Sequence, residues 1–340
     1  MTTPIVSVRN LSVTFVGSGR SVPAVRGVDF DLYPGEILGV VGESGSGKSV
    51  TALSMVGLLP ETAEVSGSVT VAGTEVIGAP EETIRKMRGR DIGIVFQDPM
   101  TTLNPVQNVG TQVTEGLFVH DLAPRSEATK RATELLREVQ IPDPQARIHQ
   151  YPHQFSGGMR QRAVIAMAIS TRPRVIIADE PTTALDVTVQ AQVLSVLKNV
   201  QEDTGATVIL ITHDLGVIAE MADRVIVMYA GRVVERGSVE DIFARPQHPY
   251  TVGLMSSLPR LDMDLERLVP IPGQPPSADN LPTGCPFNPR CSIGRDREIC
   301  SSEEPPLIEI GEGRETACHF PDEVLGLAAQ LLEMRAADTS

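Results

Sequence analysis

Eight consecutive residues, Gly42-Glu43-Ser44-Gly45-Ser46-Gly47-Lys48-Ser49, fit the pattern G-x-x-x-x-G-K-[ST] in full. They follow a wholly apolar run, Ile37 to Val41, and precede Val50 to Leu59, which is helical in pattern and ends near Pro60. A strand therefore feeds a tight glycine turn and then a helix. In that setting the glycines let backbone N–H groups converge on phosphate oxygens, and the helix presents its positive end. Lys48 adds a mobile cation for the β and γ phosphates, and the Ser49 hydroxyl is a ligand for magnesium.

The rest of the chain must supply a fold for this loop. Its 340 residues allow one large domain or two modest ones, and 41% apolar with 21% charged residues is ordinary globular usage. Lys and Arg total 29 against 43 Asp and Glu, a net charge of −14, so the overall field repels polyanions. Nucleic acid is not an expected partner. No apolar run approaches the ~18 residues of a membrane span, and Met1 to Asn10 lacks the features of a secretory signal. The expected location is therefore cytoplasmic.

Short strands are predicted at Val6–Val8, Leu11–Phe15, Val28–Leu32, Ile37–Val41, Val69–Val71 and Ile92–Phe96. The Ile37 run is apolar throughout, as expected of a parallel strand covered on both faces. From Met100 to His153 the character changes. Ala128, Ala132, Leu135, Leu136 and Val139 fall on one face of a helix over Ser126–Ile141, indicating an inserted helical subdomain at about 98–158. Strand–helix alternation then returns: helix Met159–Ser170, strand Val175–Ala178, helix Thr188–Gln201, strand Val208–Ile211. This argues for a doubly wound α/β core. A hairpin through Ala230-Gly231 closes the domain near residue 245. Beyond it, prolines from Pro246 to Pro289 exclude long helices over much of the span. Residues 246–340 read as an irregular extension with a last helix at Asp322–Met334.

A phosphate site needs a carboxylate to hold its metal. Asp179 emerges from the apolar strand for this purpose, and Glu180 follows, placed to polarise a water. Farther along, Ser156-Gly157-Gly158-Met159 opens a helix with a serine cap and two glycines. Such a start again leaves N–H groups free for an anion. One chain thus carries two phosphate-grade helix starts, the second suited to completing a neighbour's nucleotide pocket.

This ordered set resembles the ATP-binding cassette (ABC) transporter ATPases over roughly residues 5 to 245. The resemblance implies a P-loop NTPase core of RecA type, with an antiparallel β subdomain and the inserted helical subdomain. It implies that Gly42, Ser44, Gly45, Ser46, Gly47, Lys48, Ser49 and Val50 cradle ATP, with Phe15 stacking on adenine. Gln97 would sense the γ-phosphate, link the core to the helical subdomain and join Ser49 and Asp179 around magnesium, while Glu180 acts on the attacking water and His213 is the catalytic switch histidine. Ser156, Gly157, Gly158 and Met159 would act across a dimer, and Asp186 would link the two sites.

Four further segments, Phe96–Pro105, Leu185–Gln192, His248–Thr251 and Ile271–Pro276, resemble the dipeptide/oligopeptide importer branch. That likeness implies an ATP-hydrolysing translocase subunit, peripheral on the cytoplasmic face of the inner membrane. Its expected partners are a second, non-identical cassette ATPase, two membrane permease subunits docking near Met100–Asn108, and a substrate-binding protein. A non-transport cassette ATPase acting on DNA or on assemblies would want a basic face and long insertions, which are not visible. A silent regulatory subunit would not need Lys48, Asp179, Glu180 and His213.

The four cysteines, Cys285, Cys291, Cys300 and Cys318, lie in one segment, with 5, 8 and 17 residues between successive members. Close C-x2–4-C pairs typical of structural zinc are absent. A cytosolic chain also disfavours disulfides. Spacing alone leaves an iron–sulfur cluster, zinc and buried thiols open. The importer branch with this tail resembles proteins holding a 4Fe-4S cluster, and that likeness implies a cluster here. Because the transport cycle needs no electron, its expected role is structural rather than redox.

Overall fold

The computed structural model describes residues 3–17, 19–183, 185–257 and 270–327. Two sheets organise it. An antiparallel sheet carries β1 (Val6–Gly17), β2 (Arg20–Leu32), β4 (Ala63–Val71) and β5 (Thr74–Glu75) in the order β2-β1-β4-β5. The main sheet contains β3 (Ile37–Val41), β6 (Ile92–Val95), β7 (Val175–Asp179), β8 (Thr207–Thr212), β9 (Arg224–Tyr229), β10 (Arg232–Ser238), β11 (Ile308–Gly311) and β12 (Arg314–Thr316). Their order is β11-β12-β10-β9-β3-β8-β7-β6, and the neighbours from β9 to β6 are parallel.

The helices are α1 (Lys48–Met55), α2 (Glu81–Met87), α3 (Pro99–Thr102), α4 (Val109–Val119), α5 (Ala128–Glu138), α6 (Pro144–Arg147), α7 (Gly157–Ile169), α8 (Val187–Thr204), α9 (Leu215–Met221), α10 (Val239–Ala244), α11 (Pro249–Ser256) and α12 (Glu298–Ser302). Helices α3 to α6 form the insertion. The apolar stripe of α5 buries Ala132, Leu135 and Leu136 as its periodicity predicts. Each leucine so buried contributes about 1.5–3 kcal/mol.

Alternation along the central strands sends side chains into two cores. Ile37 and Val41, Ile176 and Ala178, Val208 and Leu210 join the core under α7, α8 and α9. Leu38 and Val40, Val175 and Ile177, Ile209 and Ile211 join the other, with Ala52 and Met55 of α1 and Val6, Val8 and Leu11 of β1. The apolar runs are thus covered twice. The second cover, however, is α1 and the antiparallel sheet, where helix alternation alone suggests a helical layer.

Several boundaries differ from expectation. Val6–Val8 and Leu11–Phe15 are one strand, interrupted at Asn10, whose φ of +46° accompanies a register shift. Helix α1 starts at Lys48, not Val50, and stops at Met55. Helix α9, capped by Asp214, has too short an apolar pattern to stand out in the sequence. The extension is less irregular than its prolines suggest. Pro249 opens α11, where its missing N–H costs nothing. Strand β12 pairs with β10, and Phe287 and Cys291 enter the main core. Residues 321–327 are helical, while the remainder of the expected terminal helix lies outside the described residues.

Candidate active site

Three parallel strands end together. Register puts Val41 of β3 beside Thr212 of β8, and Asp179 of β7 beside Ile211. Ligands of open α/β sheets collect at such carboxyl ends. The loop from Gly42 to Gly47 leaves β3 here and enters α1 at Lys48. Its path needs glycine at two points. Gly42 has φ +155°, and a Cβ there would lie 2.3 Å from the Met228 carbonyl oxygen; Gly47 has φ +100°, and its Cβ would lie 2.7 Å from that of Ala24. Ser44 and Gly45 are exposed, Ser46 is buried, and Val50 packs against the second core.

Lys48 is buried, and its Nζ donates to the carbonyls of Gly42 at 2.7 Å and Glu43 at 3.0 Å. Burial lowers its pKa, opposed by the charges of Glu180, Asp179 and Glu43. Ser49 Oγ donates to Asp179 Oδ1 at 3.1 Å. Burial raises the Asp179 pKa, and the Ser49 hydrogen bond opposes it. A hydroxyl and a carboxylate so placed can hold a divalent cation.

Glu180 stands beside them with a left-handed backbone, φ +46°, and its N–H donates to Ile211 O at 2.8 Å. Its Oε2 accepts from Gln97 Nε2 at 3.0 Å and Thr183 Oγ1 at 2.7 Å, and lies 3.5 Å from His213 Nδ1. The structure thus gathers Lys48, Ser49, Gln97, Asp179, Glu180 and His213 in one place. Thr183 is absent from the sequence reading. Its signal is position, three residues after Glu180 across a turn closed by Thr183 N–H to Glu180 O.

The remaining candidates lie elsewhere. Phe15 is half-buried on β1, between Val22 and Ala63. Ser156 caps α7, its Oγ accepting from Met159 N–H at 3.3 Å, and Asp186 caps α8 through Val189 N–H at 3.0 Å. These two helix starts touch: a Cβ on Gly157 would meet Leu185 at 3.5 Å, and one on Gly158 would lie 2.3 Å from Val189 Cγ1. Among the described residues no hydrogen bond or ion pair joins Ser156–Met159 to the phosphate loop. Ala184 lies outside the described residues. A cavity of about 530 Å³ lies away from this chemistry, between α4, the start of α5 and the turn after α6, lined in part by Asn108, Thr111, Phe118, Arg125 and His149.

The four cysteines are unpaired by disulfides and all border one small apolar cavity with Phe287, Ile293 and Phe320. Burial pushes Cys285 up to about 11 and Cys318 up to about 12, and raises Cys300; the neighbouring thiols add to each shift. Such thiols ionise only against a compensating cation. Gly294 N–H donates to Cys291 Sγ at 3.1 Å and Phe320 N–H to Cys318 Sγ at 3.4 Å. A Cβ on Gly294 would lie 2.8 Å from Cys300 Sγ, so glycine opens that wall. Among the described residues, no three His, Cys, Asp or Glu side chains are gathered closely enough to hold a single metal ion.

The family described as ABC transporter matches residues 25–183, and that described as oligopeptide/dipeptide transporter, C-terminal region, matches 234–300. The oligopeptide transport ATP-binding protein OppD of Mycobacterium bovis is 52% identical over 96% of this chain; the chain spans about half of that relative, 53% of its length. OppD of Escherichia coli is 48% identical over 94% of this chain and 94% of its own. The dipeptide transport ATP-binding protein DppD of Bacillus subtilis is 54% identical over 84% and 86% respectively. Among solved structures, a dimeric ATP-binding cassette in a post-hydrolysis state bound to ADP and Pi is 29% identical, with TM-score 0.62 over 69% of this chain and 98% of its own.

Proposed function

Because the chain belongs to the ABC transporter family, in its oligopeptide/dipeptide branch, we propose that it is the ATP-hydrolysing subunit of a peptide importer. The observation that carries this reading is the meeting of Lys48, Ser49 and Asp179 at the phosphate loop with Glu180, Gln97 and His213 beside them.

In this reading the N–H groups of residues 44 to 50 and the start of α1, which carries roughly half a positive charge, bind the β and γ phosphates. Lys48 exchanges its carbonyl partners for phosphate oxygens, and Phe15 stacks on adenine. Ser49, Asp179 and Gln97 hold magnesium, which supplies charge neutralisation when bound. Glu180 accepts a proton from the water that attacks the γ-phosphorus, and ADP and phosphate leave; His213 and Thr183 hold the Glu180 carboxylate in register.

The separation of Ser156–Met159 from the phosphate loop within one chain supports a two-subunit site. Each subunit's Ser156–Met159 segment caps the triphosphate held by the other, and the Asp186 segment lies between the two sites. ATP favours the closed pair because its γ-phosphate touches both subunits only there. Among the described residues no helix is long and apolar enough to cross a membrane, so transport requires two permease subunits, with the helical insertion near Met100–Asn108 as their docking side. A second, non-identical ATPase and a substrate-binding protein complete the importer, and this chain sits on the cytoplasmic face. The matched transporter C-terminal region speaks against a DNA-repair or remodelling cassette.

The four cysteines belong to a 4Fe-4S cluster in this reading. A shared cavity bordered by all four cysteines and N–H donors to two of the sulfurs support this reading. When bound, the cluster cross-links the segment.

Glu180→Gln tests the function. In the assembled transporter it should retain ATP binding and lose turnover by about 10²-fold or more; unchanged hydrolysis would refute the assignment.

A further inference from the structure

All three functional groups of Glu43, the second residue of the phosphate loop, are held. Its carbonyl accepts from Lys48 at 3.0 Å, and its N–H donates to the Tyr250 hydroxyl at 2.7 Å. Its carboxylate accepts from both terminal nitrogens of Arg290, at 2.6 Å and 3.0 Å. Arg290 is only 5% exposed. It is fixed by Nε donating to Pro272 O at 2.9 Å and Nη1 to the Tyr229 hydroxyl at 3.3 Å, and it lies over the rings of Tyr229 and Phe287. The next residue is Cys291.

A second tie reaches the far side of the loop. Glu304, between Cys300 and Cys318, accepts from Arg26 at 2.7 Å and 2.9 Å and pairs with Arg232 at 3.0 Å. Arg26 N–H donates to Gly231 O, and Gly231 N–H donates to Ser46 O.

A carboxylate in a loop that binds triphosphate is a liability, since it repels the ligand and competes for Lys48. A bidentate arginine neutralises it and fixes its direction. We propose that Arg290 is a positioning residue for the phosphate loop: by occupying the Glu43 carboxylate, it makes the loop's grip on nucleotide triphosphate depend on the cysteine-bearing segment. The inference rests on the ATP-site reading above.

The test is equilibrium titration of the full chain with ATP and magnesium. Arg290→Met should weaken binding by about tenfold, the equivalent of ~1.4 kcal/mol. Arg290→Met combined with Glu43→Gln removes the stranded charge and should recover most of that loss, which a merely structural role would not allow. Arg290→Lys, which keeps the charge without the fork, should fall between wild type and Arg290→Met and serves if the methionine variant does not fold. Wild-type affinity in Arg290→Met, or a double variant as weak as the single one, overturns the proposal alone. A wild-type chain whose binding is absent, or survives Lys48→Ala, overturns the ATP-site reading and this proposal with it.

Discussion

Ser49 Oγ and Asp179 Oδ1 lie 3.1 Å apart, joining the first turn of α1 to the end of a buried strand 130 residues later in the chain. In the proposed reading these two oxygens serve magnesium. Asp179→Ala should therefore abolish the increment in ATP affinity that magnesium confers, while binding in excess chelator changes little. Titrations with and without magnesium check this.

Gly158 marks a close approach between α7 and α8. A methyl there would lie 2.3 Å from Val189 Cγ1, and β-branched valine has little rotamer freedom with which to yield. Gly158→Ala should cost about 1–3 kcal/mol from overpacking. It should also displace the capped helix start and weaken ATP-driven pairing of subunits, as read by thermal unfolding and by sedimentation with Glu180→Gln as background.

Glu235, fully buried on β10, accepts from the N–H groups of Gln247 and His248. Burial raises its pKa from 4.5 to about 7, with its hydrogen bonds opposing the shift. The folded chain then holds this proton more tightly than the unfolded chain. The resulting stability is full below pH 4.5 and is lost as pH rises through about 7. Glu235→Gln cannot titrate, so the stability difference between wild type and variant should shift against wild type across that window. Denaturant midpoints measured from pH 4.5 to 8 check the sign.

If the cysteines hold a 4Fe-4S cluster, anaerobically purified protein should be brown with about four iron atoms per chain. Cys291→Ser should lower iron content and loosen the segment that carries Arg290. Iron analysis and the visible spectrum read the first effect, and hydrogen exchange over residues 285–304 reads the second.

The phosphate loop was legible because its requirements are local: a buried strand, glycines where φ is positive, a lysine at the helix start. Asp179 and Glu180 were legible for the same reason, each at a strand end. Thr183, Glu43 and Arg290 were not, because their partners are set by tertiary packing. Nothing near Arg290 announces that Glu43, 247 residues away, is its partner. The covering of the main sheet's second face was half legible: strand patterns revealed β1, β2 and β4, but no local signal says that their apolar faces meet α1. Among the described residues the helices of the extension are short, yet its proline content concealed β12, whose short pairing with β10 depends on a neighbour and not on its own alternation.

That pairing has a consequence for biogenesis. Glu235 and Arg236 on β10 find their partners, Thr316 and Glu315, only after some eighty more residues have been synthesised, so the sheet margin at β10 stays bare while the ATP-handling portion has already left the ribosome. A message cut short before residue 290 would yield a chain that has the phosphate-loop residues but lacks both the Arg290 tie to Glu43 and the strand that covers β10, leaving a sticky border open to any extended strand nearby.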